Sequence, residues 1–215
     1  MTQARHPGPI RVDTGDPLNL HPPGHSQGSP SMSQSLPTDR PVHARVWQEL
    51  QCATQDREHE WRTPVLATAG ADGSVQARTV VLRRADGEAQ ALTFYTDSRS
   101  PKVAELHAAP RASLVFWSRQ LSWQLRVQAE LGVQVSGPHV DAAWLAVSTS
   151  VTAAADYLGA GAPGARLSDG SAAPTDRHHL AILTARVQSM DWLELSADGH
   201  RRGRLSASGV DWLVP

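Results

Sequence analysis

The chain has 215 residues, of which 20 are Lys or Arg and 21 are Asp or Glu, giving a formal net charge of −1. That balance gives no electrostatic case for nucleic acid or a membrane surface, and the length suits one domain plus an extension. One cysteine, Cys52, excludes an internal disulfide framework. No apolar run approaches the roughly 18–20 residues that span a bilayer, and no signal-peptide pattern opens the sequence, so a cytoplasmic protein with a small-molecule or protein partner is expected.

Residues 1–40 are rich in Pro, Gly, Ser and His without apolar periodicity, and they are expected to be a disordered extension. From Pro41 to near Glu60 the spacing of Val42, Val46, Leu50 and Ala53 predicts a helix. Residues 65–68 then predict a strand, Ala71-Asp72-Gly73 a hairpin turn, and residues 75–83 a second strand. A further Asp86-Gly87 turn leads into a strand over 91–96.

Ser100-Pro101 has the chemistry of a helix start, N-cap then first helical position, for a short helix reaching about Ala108. Strands are predicted at 112–117 and 121–135. The second alternates with Leu121, Trp123, Leu125 and Val127 on one face and Gln124, Arg126, Gln128 and Glu130 on the other. Residues 139–158 predict a helix and 159–174 a loose Gly/Pro/Ala/Ser stretch. Strands at 180–187, 192–196, 202–206 and 210–214 close the chain. Many strands, hairpin turns and few helices give a mainly β fold, an antiparallel barrel with helical additions.

Several motifs have a functional reading beside a plain one. Gly159-Ala-Gly161-Ala-Pro-Gly164 matches the dinucleotide fingerprint formally. A helix precedes it and Pro163 interrupts it, so it reads as a linker. The ten histidines do not assemble a metal pattern: His21 and His25 lie in the Pro/Gly segment, and His178 and His179 point apart on a strand. No metal is expected.

Lys102 is the only lysine, and it falls in the first turn of the helix that Ser100 opens. The helix dipole disfavours a cation there by about 0.3–1 kcal/mol. An anion bound at that terminus would remove the conflict, and a solvated surface lysine is the alternative. Arg78 and the Arg83-Arg84 pair bracket Thr79-Val80-Val81-Leu82, either as salt-bridged strand ends or as a basic rim for a phosphate. On one regular strand, Arg78 and Arg84 would share a face. Gln124 and Arg126 line a polar face, either solvent or a ligand site. Trp192 stands near the basic run His200-Arg201-Arg202-Gly203-Arg204, compatible with walling a planar ring.

Taken in order, Arg78–Arg83, Phe94-Tyr95-Thr96, Ser100-Pro101-Lys102, residues 110–116, Gln124-Leu125-Arg126, Trp192, His200–Arg204 and the ending 209–215 resemble the pyridoxamine-5'-phosphate oxidase superfamily over roughly residues 43–215. The resemblance implies an FMN-binding split barrel over residues 41–215 that dimerises with FMN at the subunit interface. It implies that Arg78 and Lys102, with Ser100, hold the FMN phosphate. The strand from Arg78 through Thr79, Val80 and Val81 to Arg83 would pass the flavin, and Tyr95 and Thr96 would line it. Gln124, Trp192 and Arg204 would complete the site.

The departures concern the substrate. Arg83 replaces the family's lysine, and Trp144-Ser148-Thr152 lacks the arginine of the vitamin-B6 phosphate clamp. Arg201 has no histidine two positions on, which leaves it as a candidate substrate contact. The expectation is an FMN-dependent oxidoreductase of unknown substrate, with no residue named as catalytic. The alternatives are an FMN-binding protein without turnover and, less favoured by these residues, a true pyridoxamine-phosphate oxidase.

Overall fold

Helix α1 (Asp39–Gln55) buries Val42, Val46, Trp47, Leu50 and Ala53, one apolar stripe at helical spacing. It stops short of Glu60. His59 instead caps a separate 3-10 turn, Glu60–Arg62, by accepting from the Trp61 amide at 3.1 Å, and that turn drives Trp61 fully into the core. The computed structural model describes residues 39–166, 177–206 and 209–215. The expectation for the N-terminal extension therefore falls, up to residue 38, outside the described residues, as do His21 and His25.

Strands β1 (Val65–Ala69) and β2 (Val75–Thr79) form the expected hairpin. Its turn is held by Asp72, whose carboxylate accepts from the Ser74 amide at 3.0 Å, and by Gly73 at φ +80°. The single strand expected over 75–83 is not formed. The chain leaves β2 at Val80, whose amide donates to Pro64 O at 3.0 Å, and resumes as β3 (Leu82–Asp86), which pairs with β4 (Ala91–Asp97). β-branched Val80 and Val81 read locally as strand, but the partners on either side of them belong to different ends of the sheet. The face parity drawn between Arg78 and Arg84 therefore does not hold.

Helix α2 (Pro101–Ala108) leads into β5 (Arg111–Ser118) and the long β6 (Trp123–Gln134), whose inward and outward residues alternate as expected. The helix expected over 139–158 is two: α3 (Pro138–Val147) and α4 (Val151–Leu158). Ser148-Thr149-Ser150 separates them, and the Ser150 hydroxyl accepts from the Ala153 amide at 3.4 Å to start α4. Residues 159–164 follow α4 without a strand before them or a helix after them among the described residues, in keeping with a linker.

The two strands expected over 180–187 and 192–196 are one, β7 (Leu180–Glu194). A register shift opposite Gln128/Ala129 carries the ladder across the polar stretch where the hydrophobic pattern lapses. Strands β8 (Arg201–Ser206) and β9 (Gly209–Leu213) finish the chain.

The nine strands among the described residues form one antiparallel sheet with the order β2-β1-β5-β6-β7-β4-β3, and β8, with β9 beside it, branches from β7. β7 pairs with β6 along its length. On its other edge it pairs with β4 over its first half and with β8 over its second. The path curls so that β2 and β3, its two ends, are joined through Val80-Val81; the sheet is a split barrel rather than a closed one. Trp61, Phe94, Phe116, Leu125 and Trp192 fill its interior. No helix among the described residues is long and apolar enough to cross a membrane.

Phe116 is fully buried with its ring 5.8 Å from that of Trp61. Phe116→Ala should lower the unfolding free energy by about 3–5 kcal/mol through lost burial and cavity formation. Urea denaturation checks this as a shift in midpoint at unchanged slope.

Candidate functional site

Helix α2 begins where expected. Ser100 has cap geometry and Pro101 follows it, but the Ser100 hydroxyl does not cap the helix. It accepts instead from Lys102 Nζ at 2.6 Å, and the same ammonium donates to Thr96 Oγ1 of β4 at 3.0 Å. One turn on, Glu105 faces the other way across the barrel opening. Its Oε2 accepts from Arg78 Nη2 at 2.8 Å and from the Thr68 hydroxyl at 2.5 Å, and Arg78 Nη1 also donates to Thr68 Oγ1. Arg78 and Lys102 thus sit close together on one helix terminus, with Glu105 and Asp97 as the acids near them.

That proximity registers in the chemistry of Lys102. Burial first, and the Arg78 guanidinium second, hold its ammonium below the ordinary lysine range, while Glu105 and Asp97 act in the opposite sense. Asp97 loses stability as an anion through burial but is held below the usual carboxylate range by Arg99, which donates to both of its oxygens. The cluster is a partly desolvated pair of cations that an anion with several acceptor oxygens would satisfy.

Tyr95 and Thr96 are neighbours on β4 and therefore lie on opposite faces: Thr96 is buried with Lys102, and Tyr95 is half-buried on the other side. On that outer face Arg83, the extra residue at the β3 register shift, places its guanidinium 5.5 Å from the Tyr95 ring centre. Arg84 makes an exposed ion pair with Asp86, the plain reading of a basic strand end. Thr79 ends β2, and Val80 and Val81 form the crossing between the two branches.

The remaining expected residues gather elsewhere. Gln124 pairs in register with Leu193, Trp192 with Gly203 and Arg204 with Asp191, all on the second half of β7. Trp192 is fully buried, edge-on to Trp123 at 5.2 Å and to Trp212 at 6.3 Å, so it presents no open ring in the single chain. Arg201 lies 5.5 Å above it and is bound to Glu194 at 2.6 Å. Arg126 and Arg202 share Asp191 at 2.6 and 2.9 Å. Arg204 is exposed. No group of three metal-ligating side chains occurs among the described residues.

Three participants were not foreseen. Glu105 follows Lys102 by three residues, a spacing that places both on neighbouring parts of one helix surface. Thr68 lies diagonally across the β1–β2 hairpin from Arg78. Tyr157 of α4, a lone tyrosine in an Ala-rich helix that carried no signal, is buried beside the Arg83 side chain.

The family model described as pyridoxamine 5'-phosphate oxidase, FMN-binding domain, matches residues 43–135. A pyridoxine/pyridoxamine 5'-phosphate oxidase of Thermosynechococcus vestitus is 38% identical over 98 residues, 46% of this chain and 44% of that relative. Another from Cupriavidus metallidurans is 43% identical over 76 residues, 35% of each. The aligned segment spans less than half the length of these curated relatives. Among solved structures, a pyridoxamine 5'-phosphate oxidase-related, FMN-binding protein of Nostoc punctiforme has a TM-score of 0.64 at 21% identity, covering 81% of this chain and 98% of its own. PhzG of Burkholderia lata, solved with tetrahydrophenazine-1-carboxylic acid, has a TM-score of 0.63 at 21% identity, covering 85% and 95%. These likenesses bear out the split-barrel fold.

A lysine whose pKa is depressed on folding makes the folded state bind fewer protons than the unfolded chain in the alkaline range. Stability contributed by this group therefore rises with pH from the depressed value towards about 10.4. Comparing the pH dependence of stability of the flavin-free protein with that of Lys102→Met isolates it: the variant should lose that alkaline gain. An identical alkaline slope in both proteins would show that Lys102 is not held down.

Proposed function

We infer from membership of the pyridoxamine 5'-phosphate oxidase-like FMN-binding family, to which residues 43–135 of this chain belong, that the protein is an FMN-dependent oxidoreductase working as a homodimer. The observation that carries this is the convergence of Arg78 and Lys102 at the start of α2. Their chemistry fits a phosphate monoester: one planar fork, one point charge, and Ser100 and Thr96 hydroxyls that can turn from Lys102 to the ligand. Bound there, FMN supplies reversible hydride and electron transfer. The chain's part is to fix the phosphate, to pass the Thr79–Val81 backbone alongside the ring system, and to line it from β4.

Distance supports the dimer. Thr96 pairs with Ala181 at the start of β7, and Trp192 pairs with Gly203 near its end. At about 3.3 Å per residue these points are up to roughly 35 Å apart along the strand, beyond the reach of one mononucleotide. Gln124, Trp192 and Arg204 join the phosphate cluster around one FMN only if a second copy supplies them. The buried Trp192 would then act as support behind the interface rather than as an exposed ring.

A vitamin-B6 substrate is not favoured. Trp144 lies on α3, Ser148 follows its end and Thr152 lies on α4, so the three do not share one helical face, and no arginine stands among them. A carrier that binds FMN without turnover would remain oxidised in the presence of NADH or NADPH. An oxidoreductase of this reading shows bleaching of the flavin band and its return with an acceptor.

Arg78→Ala and Lys102→Met should each weaken FMN binding by about 1.5–3 kcal/mol, one charge-assisted hydrogen bond apiece, and leave riboflavin binding nearly unchanged because riboflavin lacks the phosphate. Fluorescence titration of both flavins checks this. Equal losses for FMN and riboflavin, or none in either variant, would remove the phosphate assignment. Sedimentation of the FMN-loaded protein should give twice the chain mass; a monomer that holds FMN tightly would rule out the shared site.

A further inference from the structure

Among the described residues Glu105 is the only carboxylate bonded to either cation of the proposed phosphate cluster, with its Oε2 at 2.8 Å from Arg78 Nη2. On Coulomb grounds alone its place is unfavourable. A negative charge beside Arg78 repels an incoming phosphate, so the cluster would hold an anion better without it.

The contact geometry points the other way. An arginine carries its N–H donors in a rigid planar fork, so it can be gripped along one edge and bind along another. Glu105 takes Nη2 and the Thr68 hydroxyl takes Nη1, and Thr68 in turn donates to the same Glu105 oxygen at 2.5 Å. Nε makes no hydrogen bond among the described residues. The three side chains close a triangle, and none can turn without breaking two of its bonds. Thr68 is buried, and the Arg78 and Glu105 side chains are only 23% and 12% exposed, so the triangle is packed in place rather than swinging in solvent.

Its corners come from three elements. Thr68 and Arg78 lie diagonally across the β1–β2 hairpin, and Glu105 follows Lys102 by three residues on α2. One helix therefore carries both the point charge of the cluster and the group that holds its fork.

We propose that Glu105, with Thr68, is a positioning residue for the FMN phosphate: it grips the Nη1–Nη2 end of Arg78 and leaves the Nε edge free for the ligand. This rests on the reading of Arg78 and Lys102 as the phosphate site. The gain is preorganisation. An arginine ordered beforehand gives up less rotamer freedom on binding, and that offsets the repulsion from a carboxylate whose charge Arg78 already takes up. Alignment and charge predict opposite signs when Glu105 is removed.

The test is the affinity for FMN and for riboflavin, by flavin fluorescence titration, in Glu105→Ala, Glu105→Gln and Thr68→Val. Riboflavin lacks the phosphate, so the ratio of the two affinities separates the phosphate contact from general damage to the barrel. Glu105→Ala should weaken FMN at least about fivefold and riboflavin by less than about twofold. Glu105→Gln deletes the same charge but keeps an oxygen to which Arg78 can donate, so it should recover most of that loss. Thr68→Val should weaken FMN about threefold without moving riboflavin. In an Arg78→Ala background Glu105→Ala should cost FMN nothing further.

Tighter FMN binding in Glu105→Ala, or equal behaviour of the Ala and Gln variants, would make Glu105 a charge only and overturn its positioning role. Equal losses for both flavins, or a full loss in the Arg78→Ala background, would make it a support of the fold alone. Should Glu105→Ala not fold, an unchanged ratio of FMN to riboflavin affinity in Thr68→Val overturns the role by itself. An unsubstituted protein that binds FMN no better than riboflavin would remove the phosphate site, and the positioning role with it.

Discussion

The structure turns on helix α2 being tied to both branches of the sheet through its first turn and a half. Glu105 is bonded to Arg78 and Thr68 on the β1–β2 branch, and Lys102 is bonded to Thr96 on β4. A split barrel that does not close by strand pairing needs some other contact to hold its lips in register, and these charged side chains supply it. The same contacts fix where Arg78 and Lys102 stand, so cohesion of the fold and geometry of this cation pair are one arrangement.

The cost of that arrangement sets its chemistry. Two cations brought together and partly buried repel each other, and the depressed Lys102 reflects it. Glu105 offsets part of the charge without filling the coordination of either cation. Arg78 keeps its Nε outside the bonds to Glu105 and Thr68, and the Lys102 partners are hydroxyls that can reorient. A phosphate held there, as proposed for FMN, would add acceptor oxygens to both cations.

Much of this was legible in the sequence because it is local. The Asp72-Gly73 turn, the alternation of β6 and the Ser100-Pro101 helix start each depend on a few adjacent residues, and each was formed. Where the reading failed, distant partners decide. Val80-Val81 breaks a β-branched run because Pro64 and two different sheet edges claim the residues on either side. β7 continues through Gln188-Ser189 because β6 pairs past them. Arg78 and Lys102 were picked out from residue type and helix position. Glu105 follows Lys102 by about one turn, but it lies 27 residues from Arg78 and 37 from Thr68, so no local pattern pointed to those partners.

The two faces of β4 then separate two kinds of charge. Inward, Thr96 belongs to a cluster in which Lys102 and Arg78 stand with Glu105 and Asp97 and hydroxyls fill the rest. Outward, Tyr95 belongs to one in which Arg83 meets phenols and aliphatic side chains, with Asp156 near enough to act on Tyr157. The half-buried Arg83 guanidinium there has Tyr157 beside it and leaves only its Nε without a hydrogen-bond partner. Successive residues of one strand thus face two differently charged surroundings.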